Sequence, residues 1–272
     1  MQEGATVKIR RNVALILGGG AARGIAHIGV LRVLKREQIP IDMVVGTSIG
    51  ALIGAGHALG ISVEAMAERA RKIRTRDLLD FSISRMGLIE GIRLEHVIRE
   101  SIEHKEFEDI QIPLAIVGCD VEKAEEVILT SGDLAKSIRA SCSLAGIFAP
   151  VRLGGRLLVD GGVVQTVPVS VARKLGARFT IAVDVGFMVR VAKIDNVFQL
   201  IYQSYQIMAQ ELSNYQAYAA SVTIKPELGD IHQMGFSRAE EAIRLGEEAA
   251  EKALPEIREK LMARGLPPEA VS

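Results

Sequence analysis

The stretch Gly46-Thr47-Ser48-Ile49-Gly50 sets one serine between two glycines, after an apolar run and ahead of a helix-like one. In a G-x-S-x-G turn the chain reverses from strand to helix so sharply that the serine is strained, and small neighbours avoid clashes and leave its Oγ exposed. At the N-terminus of a helix the dipole also favours developing negative charge. The chemistry such a serine offers is nucleophilic attack on a carbonyl. The pentapeptide alone fits equally well a serine that only caps a helix in a tight βα turn.

A nucleophilic serine needs a base, and the histidines are poorly placed to be one. His27 and His57 fall within helix-like segments, His96 and His104 lie on a charged amphipathic segment, and His232 is in a polar loop. Asp160 has the better setting, because Leu157-Leu158-Val159-Asp160-Gly161-Gly162 puts a carboxylate at the C-terminal end of an apolar strand. Catalytic groups of open α/β sheets gather at that edge. A plain Asp-Gly turn is the alternative.

A third cluster, Gly18-Gly19-Gly20-Ala21-Ala22-Arg23-Gly24, follows the first apolar run and opens a helix. Backbone N–H groups exposed at such a turn bind an oxyanion. A dinucleotide site would occupy the same place, but it wants an acidic residue about 20 residues on, at the end of the second strand. Asp42 precedes that strand rather than ending it. The oxyanion hole is therefore preferred, while a tight turn without a ligand explains the glycines but not Arg23.

The elements that must carry these residues follow from periodicity. Val13–Leu17 reads as a strand, residues 25–38 as a helix with Ile28, Leu31 and Leu34 at helical spacing, residues 43–45 as a second strand and residues 48–59 as a small-residue helix. This β-α-β-α opening predicts an α/β fold. Further helices are predicted over residues 63–73, 93–102, 133–141 and 169–175, and strands over 113–118, 127–130, 157–159, Phe179–Val183 and Val222–Ile224. Val197, Ile201, Tyr205, Met208, Leu212, Tyr215 and Ala219 draw an apolar stripe along a long helix, read as a buried core face. Ala239, Ile243, Ala250 and Leu254 line a last helix that Pro255 either breaks or restarts. One domain over residues 12–264, with short terminal extensions at 1–11 and 265–272, accounts for the pattern.

Composition narrows the function. The 272 residues carry 33 Lys+Arg and 33 Asp+Glu, a balance that gives no reason to expect nucleic acid as a partner. Cys119 and Cys142 are too few for a disulfide framework and suit a reducing compartment. Val13–Leu17 is too short for a secretory core of roughly 7–15 residues, and no run reaches the ~18–20 apolar residues of a spanning helix. A cytoplasmic protein is expected, its membrane contact at most peripheral, at the inner face.

Ser48, Asp160 with Gly161 and Gly162, and the glycine loop with Arg23 together resemble the patatin-like phospholipase family, closest to its small single-domain bacterial members. The likeness extends to residues 26–31 (AHIGVL), 138–142 (IRASC) and 229–231 (GDI). It implies a three-layer α/β/α fold with a mostly parallel central sheet. It also implies a serine and aspartate dyad without histidine, an oxyanion hole from the glycine loop, no cofactor and no metal. Gly46 and Gly50 would form the nucleophile elbow, Gly161 and Gly162 the base loop, and Gly19, Gly20 and Ala21, helped by Arg23, the oxyanion hole. The chain departs from the family at Ala21, where glycine is common, and at Ala145, where proline is common.

The substrate implied by the resemblance is a lipid acyl ester, phospholipid or lysophospholipid. An acyltransferase would use the same acyl-serine, and a non-hydrolytic lipid-binding or regulatory protein would keep the fold. Arg69, Arg71, Lys72, Arg74 and Arg76, followed by Leu78, Leu79, Phe81, Ile83, Met86, Leu88 and Ile89, form either a flap with a headgroup-binding patch or a solvated helix end and a packed connection. The oligomeric state is not legible.

Overall fold

The computed structural model describes residues 12–80, 86–186 and 194–266. β1 (Val13–Leu17) leads through the glycine loop and a 3-10 turn (Ala21–Ile25) into α1 (Ala26–Arg36), and β2 (Met43–Thr47) leads into α2 (Ile49–Ala58). After α3 (Val63–Lys72) and the one-turn α4 (Thr75–Leu78) come β3 (Gly87–Ile89), α5 (Ile92–Ser101) and the hairpin of β4 (Leu114–Asp120) with β5 (Glu125–Leu129). The chain continues through α6 (Leu134–Ser141), β6 (Gly146–Phe148), β7 (Val151–Leu153), β8 (Arg156–Asp160) and α7 (Val169–Lys174). It ends with β9 (Phe179–Val183), α8 (Val197–Tyr218), β10 (Val222–Ile224) and α9 (Ala239–Met262).

The central sheet has the order β10-β9-β1-β2-β4-β8-β7, with β5 also on β4. From β10 to β4 it is parallel, and β5, β7 and β8 add antiparallel pairs. β1, β2, β4 and β9 are buried along their whole length, as expected for parallel strands covered on both faces. Side chains of β1 alternate between two cores. Val13, Leu15 and Leu17 pack with α1, α2 and α9, whereas Ala14 and Ile16 pack with α7 and the end of α8. The three-layer α/β/α arrangement is the expected one.

The register of β4 brings two distant strand ends together. β5 pairs with residues 116–120 of β4 and so takes one edge. β2 pairs with residues 114–117 and β8 with residues 118–120, both along the other edge. β2 ends with Thr47 opposite Val117, and the antiparallel β8 ends with Asp160 opposite Gly118. The two strands therefore meet head to head, and the residues at their meeting ends are Ser48 and Asp160.

Several expectations need correcting. β3 and β6 form a separate two-stranded parallel sheet in place of a mixed connection, and β7 is a further strand, half-exposed and centred on Arg152, that no apolar run marks. α9 runs through Pro255 without a break. The α8 stripe is split: Val197, Ile201, Met208 and Tyr215 are exposed and Tyr205 turns into the cleft, while Gln206, Ala209, Ser213 and Ala217 are buried. Within the basic cluster at the end of α3, Arg69 pairs with Glu103, Arg71 with Glu240 and Lys72 with Glu68. Phe81 and Ile83 of the suggested flap lie outside the described residues. Among the described residues, no helix is long and apolar enough to cross a membrane.

α9 closes the structure by lying on α1 at backbone distance. A Cβ at Gly29 would stand 1.9 Å from the Ile243 carbonyl oxygen, and one at Gly246 would stand 2.1 Å from that of Ala26. Backbone cannot yield as a side-chain tip can. Gly246→Ala is expected to destabilise the protein by about 1–3 kcal/mol, read from urea unfolding; an unchanged midpoint would contradict this packing.

Candidate active site

The turn at Ser48 is strained, with φ 56° and ψ −125°. A non-glycine residue there carries of order 1–3 kcal/mol of strain and persists only where its surroundings over-determine it. Two glycines do so from below. A Cβ at Gly46 would come within 2.6 Å of the Ala51 backbone, and one at Gly50 within 2.1 Å of the Leu17 carbonyl oxygen. Only bare backbone lets α2 start this close to β1. Ser141, at the end of α6, holds the turn from the side: its Oγ accepts the Ser48 N–H at 2.8 Å and donates to the Val117 carbonyl at 2.6 Å.

Asp160 faces the turn from the end of β8. Its carboxylate accepts the Gly162 N–H at 2.7 Å. Burial pushes its pKa from 3.8 up to about 6, against the opposing pull of the Gly162 N–H and of the nearby Ser48 hydroxyl. A Cβ at Gly161 would sit 2.3 Å from the Val117 carbonyl oxygen, so the chain leaves β8 by backbone contact alone. The structure thus brings Ser48, Gly46, Gly50, Asp160, Gly161 and Gly162 into one place.

The glycine loop is arranged differently from the expectation. The Gly19 N–H donates to the Thr166 carbonyl at 2.9 Å, and the Ala22 N–H to that of Gln233 at 2.9 Å. The N–H groups of Gly20 and Ala21 have no partner among the described residues. Both are free to receive an oxyanion. Ala21 holds φ at 50°, the left-handed region that favours glycine, so alanine is accommodated there under strain. The Arg23 side chain is not a third donor. Its guanidinium donates to the carbonyls of Val185 at 2.9 Å, Gly186 at 3.2 Å, Gly229 at 3.4 Å and Ile231 at 2.8 Å, clamping two later loops to the glycine loop.

None of the described contacts puts a histidine on Ser48. His27 is fully buried behind the glycine loop, with Nε2 2.8 Å from the Gly18 carbonyl oxygen, and burial lowers its pKa to about 4. His57 is likewise lowered to about 4 by burial. Both are neutral at physiological pH. Asp42, the acid of the dinucleotide alternative, accepts the N–H groups of Asn12 and Val13 at the opposite end of β1 from the glycine loop.

Ser48 and Asp160 open into a cleft with about 170 Å³ of free space. Its wall is chiefly apolar, with Leu52, Ile73, Leu94, Ile147 and Phe236 among the lining residues and Tyr202 and Tyr205 contributed by α8. Cys142 also lines it, and burial pushes its thiol up to about 12, so a thiolate does not compete with Ser48. Sequence reasoning missed Ser141, Thr166 and Tyr205 as site residues. Only Ser141 carried a signal, as part of the 138–142 segment.

Residues 15–173 match the patatin-like phospholipase family. A Caenorhabditis elegans patatin-like phospholipase domain-containing protein is 41% identical over 182 residues, covering 64% of this chain. Lysophospholipase NTE1 of Debaryomyces hansenii is 35% identical over 188 residues, covering 67% of this chain. This chain spans only 14% of the length of the first relative and 12% of the second. VipD from Legionella pneumophila has the same fold, with a TM-score of 0.50 at 14% identity over 90% of this chain and 66% of that one. With more than half of its length matched, and with the elbow, the Asp-Gly-Gly turn and the glycine loop converging on one cleft, the chain belongs to the patatin-like phospholipase family.

Proposed function

We propose that this protein is a serine acyl hydrolase of lipid carboxyl esters, phospholipid or lysophospholipid, working through Ser48 and Asp160. The observation that carries the reading is the buried carboxylate of Asp160 against the strained Ser48 turn, at a pKa of about 6. A carboxylate near 3.9 is a weak base; one near 6 holds a proton far better and is still ionised at neutral pH. The apolar cleft suits an acyl chain, and the name of the yeast relative, a lysophospholipase, supports the substrate class. Residues 12–264 are proposed to act as one domain, consistent with the packing of α9 on α1.

In this mechanism Asp160 takes the Oγ proton as Oγ bonds to the ester carbon, and the carbonyl π pair moves onto oxygen. The N–H groups of Gly20 and Ala21 receive that oxyanion. Collapse breaks the ester C–O bond, and Asp160 returns the proton to the departing alcohol. Water then gives a proton to Asp160 and attacks acyl-Ser48, and the second collapse releases the fatty acid and restores both residues.

Three outcomes follow for lysophosphatidylcholine and a soluble short-chain ester. Ser48→Ala is expected to lose hydrolysis of both while keeping the wild-type circular dichroism spectrum; retained turnover would contradict the nucleophile. The wild-type kcat/KM should rise as pH increases through about 6 and then level, whereas a profile flat across that range would contradict Asp160 as base. Asp160→Asn should be more stable than wild type at pH about 8. Because the folded pKa lies above 3.8, the native state binds more protons than the unfolded one between the two values, and wild-type stability falls as pH rises through about 6. The difference amounts to about 3 kcal/mol and vanishes below pH about 4. Paired melting curves at the two pH values check it, and equal stability at pH about 8 would count against the burial.

A further inference from the structure

Helix α8 is inside out for a helix of a globular protein. Ile201 is 62% exposed, Met208 64%, Tyr215 81% and Tyr218 93%, on the face where such a helix usually carries charge. Only one of its 22 residues, Glu211, is charged. We propose that this face docks on the apolar layer of a lipid surface and delivers acyl chains to the cleft. The proposal rests on the lipid-ester reading above.

Two observations select a lipid layer as the occupant. The first is continuity with the site. The inward residues Tyr202 and Tyr205 of the same helix line the cleft that holds Ser48 and Asp160, so one helix joins the exposed apolar face to the reacting atoms. Across the cleft, β6 and α5 supply Ile147 and Leu94 to the lining. β3, paired with β6, and the first turn of α5 expose Leu88 and Ile92 in turn, at 55% and 68%. The elements that line the cleft on α8 and on β6 and α5 thus also carry, or pair with strands that carry, exposed apolar side chains. The second is charge. An interface built for a folded partner is rimmed with polar and charged groups that set its register. The exposed α8 face carries one charge, Glu211, with Ser204 as its polar neighbour, whereas Tyr215 and Tyr218 at its C-terminal end are amphipathic rings suited to the headgroup level. Arg69, Arg71 and Lys72 are paired to their own acids, so the apolar face and not anionic headgroups is expected to carry most of the binding.

The test is sedimentation of the full chain with vesicles of phosphatidylcholine alone, beside turnover of a soluble short-chain ester. Wild type should co-sediment, and raising salt from about 0.1 M to about 1 M should not release it. The double variant Ile201→Glu, Met208→Glu should lower partitioning by about tenfold or more, with soluble-ester turnover unchanged. The charge-free pair Leu200→Gln, Tyr218→Gln should lower it less, in the same direction. Failure of wild type to bind, release by salt, or undiminished binding by both variants would overturn the proposal. So would light scattering that finds a wild-type dimer made monomeric by the charged variant, since the face would then belong to a second copy. Vesicle binding without ester turnover would support docking and contradict the hydrolase reading alone.

Discussion

One edge of β4 serves two strands, and the site depends on that sharing. β2 uses residues 114–117 and β8 uses residues 118–120, arriving from opposite directions. Neither strand can extend without displacing the other, so both chains must turn out of the sheet at the same point. The turn out of β2 is the strained serine and the turn out of β8 is the Asp-Gly-Gly segment. Val117 sits at the junction: its carbonyl accepts from Ser141 and lies against bare Gly161. Residues far apart in the chain are thus placed by ladder hydrogen bonds, the stiffest positioning a sheet offers.

The same crowding accounts for the electrostatics. The meeting of the strands buries most of Asp160, and desolvation rather than a neighbouring charge raises its pKa. Under the proposed dyad, the raised pKa costs folding stability at neutral pH and makes Asp160 a stronger base beside Ser48. A histidine is unnecessary in such a site, and the two buried histidines are neutral side chains, His27 packed behind the glycine loop and His57 on α2. The Arg23 clamp then ties the loops after β9 and β10 to the glycine loop, holding Gly20 and Ala21 toward the cleft without entering it.

Much of this was legible from local pattern. Apolar runs marked the buried strands, and G-x-S-x-G and Asp-Gly-Gly marked where backbone must approach backbone, because a side chain at those glycines would collide. Long-range partners were not legible. That Thr166 consumes the Gly19 N–H, and that Arg23 is spent on four carbonyls, depend on loops far along the chain whose arrival no local spacing encodes. The three-residue strands β3, β6 and β7 are half-exposed and lack the buried apolar positions of the equally short β10. The α8 stripe failed for a different reason: periodicity reports which residues share a face, and burial of that face was inferred from its apolar character alone. What α8 buries is small or polar, Ala209, Ser213 and Ala217, and Ser213 donates to Asp184.

The central claim is that Ser48 becomes acylated with Asp160 as the base. It is tested most directly by following the acylated peptide by mass spectrometry after rapid mixing of wild type and Asp160→Asn with one activated ester. The account predicts an adduct on the peptide containing Ser48 in the wild type, and acylation slowed by at least about 10²-fold in the Asn variant. An adduct on another residue, or equal acylation rates in the two proteins, would contradict it.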